Sequence, residues 1–127
     1  MYEVTETEYG FELTVDGTPD TDQIDSLIAS AREAADSTTG SFGVVADFRD
    51  LTVFPQEAAD ELEELMRYCD DAGMERSATV VDAATTKMQL DRLVENSGID
   101  DRIVDASDTA DPLSVAEAWA VDGVEPS

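Results

Sequence analysis

The sequence contains no histidine, one cysteine, one lysine and one tryptophan. Without histidine, the commonest general base and metal ligand is missing, and most acid–base and nucleophile-activating chemistry at neutral pH goes with it. Cys69 stands alone and forms no internal disulfide. Long apolar runs are missing too, since the longest stretches are four or five residues, as in Gly43 to Ala46, against the roughly 20 that span a bilayer. The opening Met1-Tyr2-Glu3-Val4 alternates like a strand and lacks the basic region and apolar core of a signal peptide, so a cytoplasmic protein is expected. Basic residues are scarce, with 7 Lys and Arg against 31 Asp and Glu and a net charge of -24. Binding to nucleic-acid phosphates requires the opposite balance and is not expected.

What is present fits one folded domain. The chain has 127 residues, of which 42% are hydrophobic, enough to bury a sizeable core. Residues 1–121 are read as the domain and 122–127 as a tail. A protein of this mass exposes about 6,600 Å², so its carboxylates stand about 15 Å apart on average. At 0.1 M salt the screening length is about 10 Å and neighbours repel, whereas at 1 M it is about 3 Å and they scarcely do. The acids are spread through Asp20 to Asp36, Asp47 to Asp71 and Asp100 to Asp122, which points to adaptation of the whole surface to molar salt in an extreme halophile.

Periodicity then orders the elements. Tyr2 and Val4, then Phe11, Leu13 and Val15, alternate with polar residues around Glu8-Tyr9-Gly10, as in a half-exposed antiparallel hairpin at a sheet edge. Thr18-Pro19 reads as the start of a helix carrying Ile24, Leu27, Ile28, Ala31 and Ala35 on one side. Gly43 to Phe48 is apolar without alternation, as in a central strand covered on both faces. Pro55 opens a helix with a stripe of Ala58, Ala59, Leu62, Leu65, Met66 and Cys69, ended by Gly73. Ser77 to Val81 is a strand, Ala83 to Ser97 a helix with Leu90, Leu93 and Val94 inward, and Ile103-Val104 a short strand. Asp111-Pro112 caps a last helix to about Val121, on which Trp119 is compatible with either face. The order ββαβαβαβα implies an α/β fold, a mixed sheet of about five strands with helices on both faces.

Familiar chemical motifs do not emerge. Gly40-Ser41-Phe42-Gly43 precedes a strand where a phosphate loop would follow one. Asp47 ends a strand as a phosphoacceptor aspartate does, but the acidic pair and lysine that accompany such a residue are missing. Adjacent acids such as Asp70-Asp71 and Asp100-Asp101 are expected by chance among 31, so no metal and no cofactor are expected. Cys69, in the apolar stripe with no basic neighbour, reads as a small core residue.

The order of elements, together with Val44-Val45-Ala46-Asp47-Phe48-Arg49-Asp50-Leu51-Thr52-Val53-Phe54, resembles the STAS superfamily of sulfate-transporter and anti-sigma-factor-antagonist domains. There a buried strand runs into a phrase like "DLSFMDSSG" at which the second helix begins. Ser97-Gly98-Ile99 stands where that family has "SGL", and the likeness spans Tyr2 to Ala120. The resemblance implies a STAS-like fold and a regulatory partner. In the antagonists a serine at the start of the second helix is phosphorylated, but here Pro55-Gln56-Glu57-Ala58 occupies that place, so a phosphoserine switch does not carry over. Glu57 is what a helix dipole favours in a first turn, and it also has the charge of a phosphoserine mimic. The chain is similar as well to small stand-alone STAS-like proteins, relatives of lipid-binding CRAL-TRIO-like domains, that lack the serine.

The expectation is therefore a non-catalytic, regulatory or protein-interaction module, with a small apolar ligand or lipid in a pocket beneath the second helix as the alternative. The candidate interaction residues are Thr52, Phe54, Gln56, Glu57, Met88 and Arg92. Phe54 precedes the second helix outside its stripe, either wet or folded inward as a plug, and Met88 falls about 160° from Leu90 on the third helix, hence outward. The charge generates the first prediction: the protein is folded in molar potassium chloride and its melting temperature falls as salt drops toward 0.1 M, read by circular dichroism. A melting temperature indifferent to salt would refute the halophile reading.

Overall fold

The computed structural model describes residues 2–38, 40–51, 56–82, 84–97 and 101–125, with the side chains of 56–59, 84–86, 89, 93 and 96–97 outside the description. Among the described residues nine elements follow one another: β1 (Tyr2–Glu6), β2 (Gly10–Val15), α1 (Thr21–Ser37), β3 (Phe42–Asp47), α2 (Gln56–Ala72), β4 (Met74–Val81), α3 (Ala84–Ser97), β5 (Asp101–Asp105) and α4 (Pro112–Asp122). They form a five-stranded sheet in the order β1-β2-β3-β4-β5. The β1–β2 hairpin is antiparallel, and each later neighbour is parallel. Because chain order and strand order coincide, right-handed crossovers put α1, α2 and α3 on one face. There α1 packs on α2 and α2 on α3, while α4 packs on β3, β4 and β5 from the opposite face.

Alternation along the strands feeds both layers. Phe11, Leu13, Val15, Val44, Ala46 and Phe48 point to the three-helix side. Val45, Ala78, Val80 and Val104 point to α4, where they meet Ala116, Trp119 and Ala120. All six residues of β3 are buried, as its unbroken apolar pattern requires.

Helix α1 begins later than Thr18-Pro19 suggests. Asp20 is its N-cap: the carboxylate accepts from the Gln23 N–H at 2.8 Å, and the Gln23 amide oxygen accepts from the Asp20 N–H at 3.1 Å. This reciprocal box satisfies two end donors, which Pro19 at a first helical position does not do. Strand β4 begins at Met74, three residues before the expected Ser77, because the charged Glu75-Arg76 pair hides its start. Gly73 turns the chain with φ 121, and its carbonyl accepts from Phe42 N–H at 3.2 Å, so pairing with β3 starts at once. Strand β5 likewise extends from Asp101 to Asp105 around the Ile103-Val104 pair.

Trp119, ambiguous in the sequence, is 5% exposed and faces the sheet. Its indole N–H donates to the Ser77 carbonyl at 2.8 Å, and the Arg102 guanidinium lies over the ring, 4.1 Å from its centroid. The last turn of α4 has no basic residue of its own. Arg76 of β4 supplies one, donating to the carbonyls of Trp119 and Val121, each at 2.9 Å, where the helix dipole is negative. Gly123, with φ 71, then turns the chain, and Glu125 pairs with Arg102 at 2.7 Å.

Close approach of β3 to α4 depends on Gly43. A Cβ there would stand 2.5 Å from the Ala120 carbonyl oxygen and 3.2 Å from the Ala120 Cβ. The contact is backbone, which no rotamer change relieves. Gly43→Ala should therefore destabilise the fold by about 1–3 kcal/mol, measured by urea unfolding in molar potassium chloride. An unchanged midpoint would show that α4 is not seated against β3 at this residue.

Candidate functional site

Open α/β sheets place their sites beyond the carboxyl ends of the parallel strands. Here each parallel strand ends at or runs directly into an aspartate: Asp16, Asp47, Asp82 and Asp105. Two of these close turns. Asp47 Oδ1 accepts from the Arg49 N–H at 3.2 Å, and Asp105 Oδ1 from the Ser107 N–H at 3.0 Å, so each carboxylate mimics a backbone acceptor two residues on. The hydrogen bonds from Ser107 hold the Asp105 carboxyl below the usual range, and the Lys87 charge on α3 adds to the effect.

Asp47 is 9% exposed, and its two oxygens are held by Arg49, Nε to Oδ1 at 2.9 Å and Nη2 to Oδ2 at 2.8 Å. A bidentate lock of this kind orients the β3 end and leaves Asp47 as an anchor. Next to it the β2–α1 and β3–α2 connections are tied together. The Gly17 N–H donates to the Asp50 carbonyl at 2.9 Å, and Leu51, 4% exposed, bridges to Gly17. These contacts hold the two connections together just beyond the ends of β2 and β3.

Of the residues singled out in the sequence, Thr52 and Phe54 lie outside the described residues. Gln56 and Glu57 form the start of α2, with side chains outside the description. Met88 is 61% exposed on α3. Arg92, one turn further along the same helix face, is exposed, as is Asp91 between them.

A second feature lies where the alternative expectation put a pocket, and its polar lining was not evident in the sequence. Beneath α2, against the sheet, lies a cavity of about 50 Å³ walled by Phe11, Leu13, Leu62, Leu65 and Leu90 among others. Its polar wall consists of Ser77, Thr79 and Asp101, which are 5%, 8% and 6% exposed. The Ser77 hydroxyl donates to Asp101 Oδ1, and the Thr79 hydroxyl to the same oxygen at 3.4 Å. The clue was present in the strand alternation: Ser77 and Thr79 share the face of Val81, opposite Ala78 and Val80. Asp101 was hidden because an acid in a chain with so many reads as surface. Cys69 also lines this cavity, and burial pushes its thiol up to about 12, so it is protonated and unreactive at neutral pH.

On the opposite face, the back of β2 is left uncovered by α4. Burial raises the Glu12 carboxyl, Glu117 and Asp47 raise it further, and Arg49 opposes them. Burial, with Glu117 and Glu12 nearby, also pushes the Tyr9 phenol up to about 12. Among the described residues no group of three or more His, Cys, Asp or Glu side chains forms a metal site, and no helix is long and apolar enough to cross a membrane.

Comparison with solved structures places the architecture. The chain is similar to an uncharacterized protein from the DUF3478 family with a SpoIIAA-like fold, from Shewanella loihica PV-4, solved as a crystal structure at 2.25 Å. The TM-score is 0.63 at 12% identity, covering 94% of this chain and 92% of that one. The fold is thus SpoIIAA-like, which is the STAS-like fold expected from the element order. No family model matches the chain, and no curated protein matches its sequence.

Glu12 generates a prediction of definite sign. A carboxyl raised on folding disfavours the charged folded state, so the resulting destabilisation is present above its folded pKa and fades as pH falls through that value. Glu12→Gln should raise the melting temperature at pH 7, and its advantage over the parent should shrink as pH is lowered into the carboxylate range. Thermal melts of this variant beside Glu33→Gln, an exposed control on α1, decide it: equal gains for both would leave only a general charge effect.

Proposed function

We propose that this STAS-like domain is a non-catalytic protein-interaction module of regulatory type, which binds its partner at the edge where α2 and α3 begin. The observation that carries the reading is Met88. A large apolar side chain, 61% exposed and flanked by exposed Asp91 and Arg92, has the form of an anchor within a polar rim. Exposed Asp16, Asp50 and Asp82 at the neighbouring strand ends favour a partner surface that is basic around an apolar pocket. The lack of histidine and the structural use of Asp47 by Arg49 support a role without catalysis. With Gln56 and Glu57 at the start of α2 in place of a serine, binding is constitutive and not set by phosphorylation there. The net charge of -24 supports the cytoplasm of an extreme halophile as the setting.

A second reading, a carrier for a small molecule, is favoured by the cavity beneath α2. Its volume of about 50 Å³ is well below the roughly 300 Å³ at which drug-sized ligand pockets begin, so a whole lipid requires α2 to move.

The first reading is tested with Met88→Asp. The partner that co-purifies at molar potassium chloride is identified with the parent protein, and its affinity for the folded variant is then measured by calorimetry. At least a tenfold loss, about 1.4 kcal/mol, is expected with an unchanged melting temperature. Undiminished affinity would remove Met88 as the anchor and this edge as the interface.

A further inference from the structure

We infer that the cavity beneath α2 is a binding site for a small molecule with a hydrogen-bond donor on a short alkyl stem, an alcohol or a primary amine, and that it rejects the matching carboxylate. The inference rests on the small-molecule reading above and names the ligand class that this reading leaves open.

The positions of the protons on the polar wall decide what it can bind. Asp101 Oδ1 accepts from both the Ser77 and the Thr79 hydroxyl. A serine or threonine has one O–H proton and two lone pairs. With both protons already directed at the carboxylate, the two hydroxyl oxygens are left as acceptors. The whole polar wall therefore offers acceptors, and a ligand head that bonds to it must donate. An alcohol has one proton to give and an ammonium three.

Charge selects in the same direction. Among the described residues that line the cavity there is no lysine or arginine. A ligand carboxylate has no proton to give these acceptors and finds no Lys or Arg among the described lining residues, so its lost hydration opposes entry. An ammonium head instead brings three donors to the acceptor wall.

Size and lining set the stem. The space of about 50 Å³ is several times the roughly 10–15 Å³ that one water needs and far smaller than a lipid pocket. Around the polar wall stand Phe11, Leu13, Leu62, Leu65 and Leu90, which match an alkyl group by shape and gain nothing from a polar one. The buried serine, threonine and aspartate sit on the two adjacent strands β4 and β5, in the register Ser77 opposite Asp101, so the acceptor wall is preorganised by the sheet itself.

The test is an NMR titration of the isotope-labelled full chain in molar potassium chloride at pH 7, with 1-butanol, n-butylamine, butyrate and dissolved xenon as separate probes. The expected result is saturable shifts at Ser77, Thr79, Asp101 and Leu90 with butanol and butylamine, at affinities at least tenfold above that of butyrate. Thr79→Val, nearly isosteric, should reduce butanol binding several-fold while leaving xenon binding intact. Asp101→Asn should bring the affinities for butylamine and butyrate closer together. Butyrate binding as well as butanol would overturn the donor rule, as would xenon binding alone, although the cavity would then remain a small-molecule site. If none of the four probes shifts these residues, the small-molecule reading falls together with the inference.

Discussion

Strand order that follows chain order governs this molecule. With β2, β3, β4 and β5 laid side by side in sequence, every right-handed crossover must fall on the same side, and three helices crowd there. The other side of the sheet is left to α4 alone, a helix of 11 residues. How that short helix is held decides whether the second core exists. Gly43 lets it approach, the Trp119 indole binds the Ser77 carbonyl, and two arginines fasten its end. The remaining area of that face, behind the β1–β2 hairpin, is polar, which is why Glu12 is only partly buried and still feels Asp47 and Glu117.

The distribution of positive charge follows from the same need. Seven basic residues cannot neutralise 31 acids, and several arginines are placed where backbone or carboxylate ends must be met. Arg49 closes the end of β3 on Asp47, Arg76 satisfies the terminal carbonyls of α4, and Arg102 joins Trp119 to Glu125. Arginine suits these posts because its planar fork donates to two acceptors at once and stacks on an aromatic ring. The acids left over leave the chain with its net charge of -24.

The two candidate sites occupy different depths of one layer. Met88 and Arg92 lie on the outside of α3, while Leu90, on the inward side of the same helix, walls the cavity. Partner binding outside and ligand binding inside would therefore act on one helix. In each case the proposed chemistry is recognition: an apolar anchor among charges in the first, and an acceptor wall in an apolar space in the second.

Several features of this arrangement were legible in the residue order. Apolar periodicities of about 3.6 and 2 residues located most of the elements, the Asp111-Pro112 cap marked the last helix and the unbroken run of β3 marked it as central, because these patterns reflect which side of an element is dry. The net charge, the core position of Cys69 and the outward direction of Met88 follow from composition and helical spacing. Boundaries set by polar side chains were not legible, since the Asp20 cap and the starts of β4 and β5 depend on hydrogen bonds that hydropathy does not register. Nor were the buried aspartate at 101 and the inward face of Trp119. Asp101 acquires its role only when β5 pairs with β4 and sets it opposite Ser77, and Trp119 finds its direction only when β4 presents the Ser77 carbonyl to its N–H. Local sequence determined which surfaces are apolar; the tertiary structure decided which polar groups were taken inside, because only strand pairing brings their hydrogen-bond partners within reach.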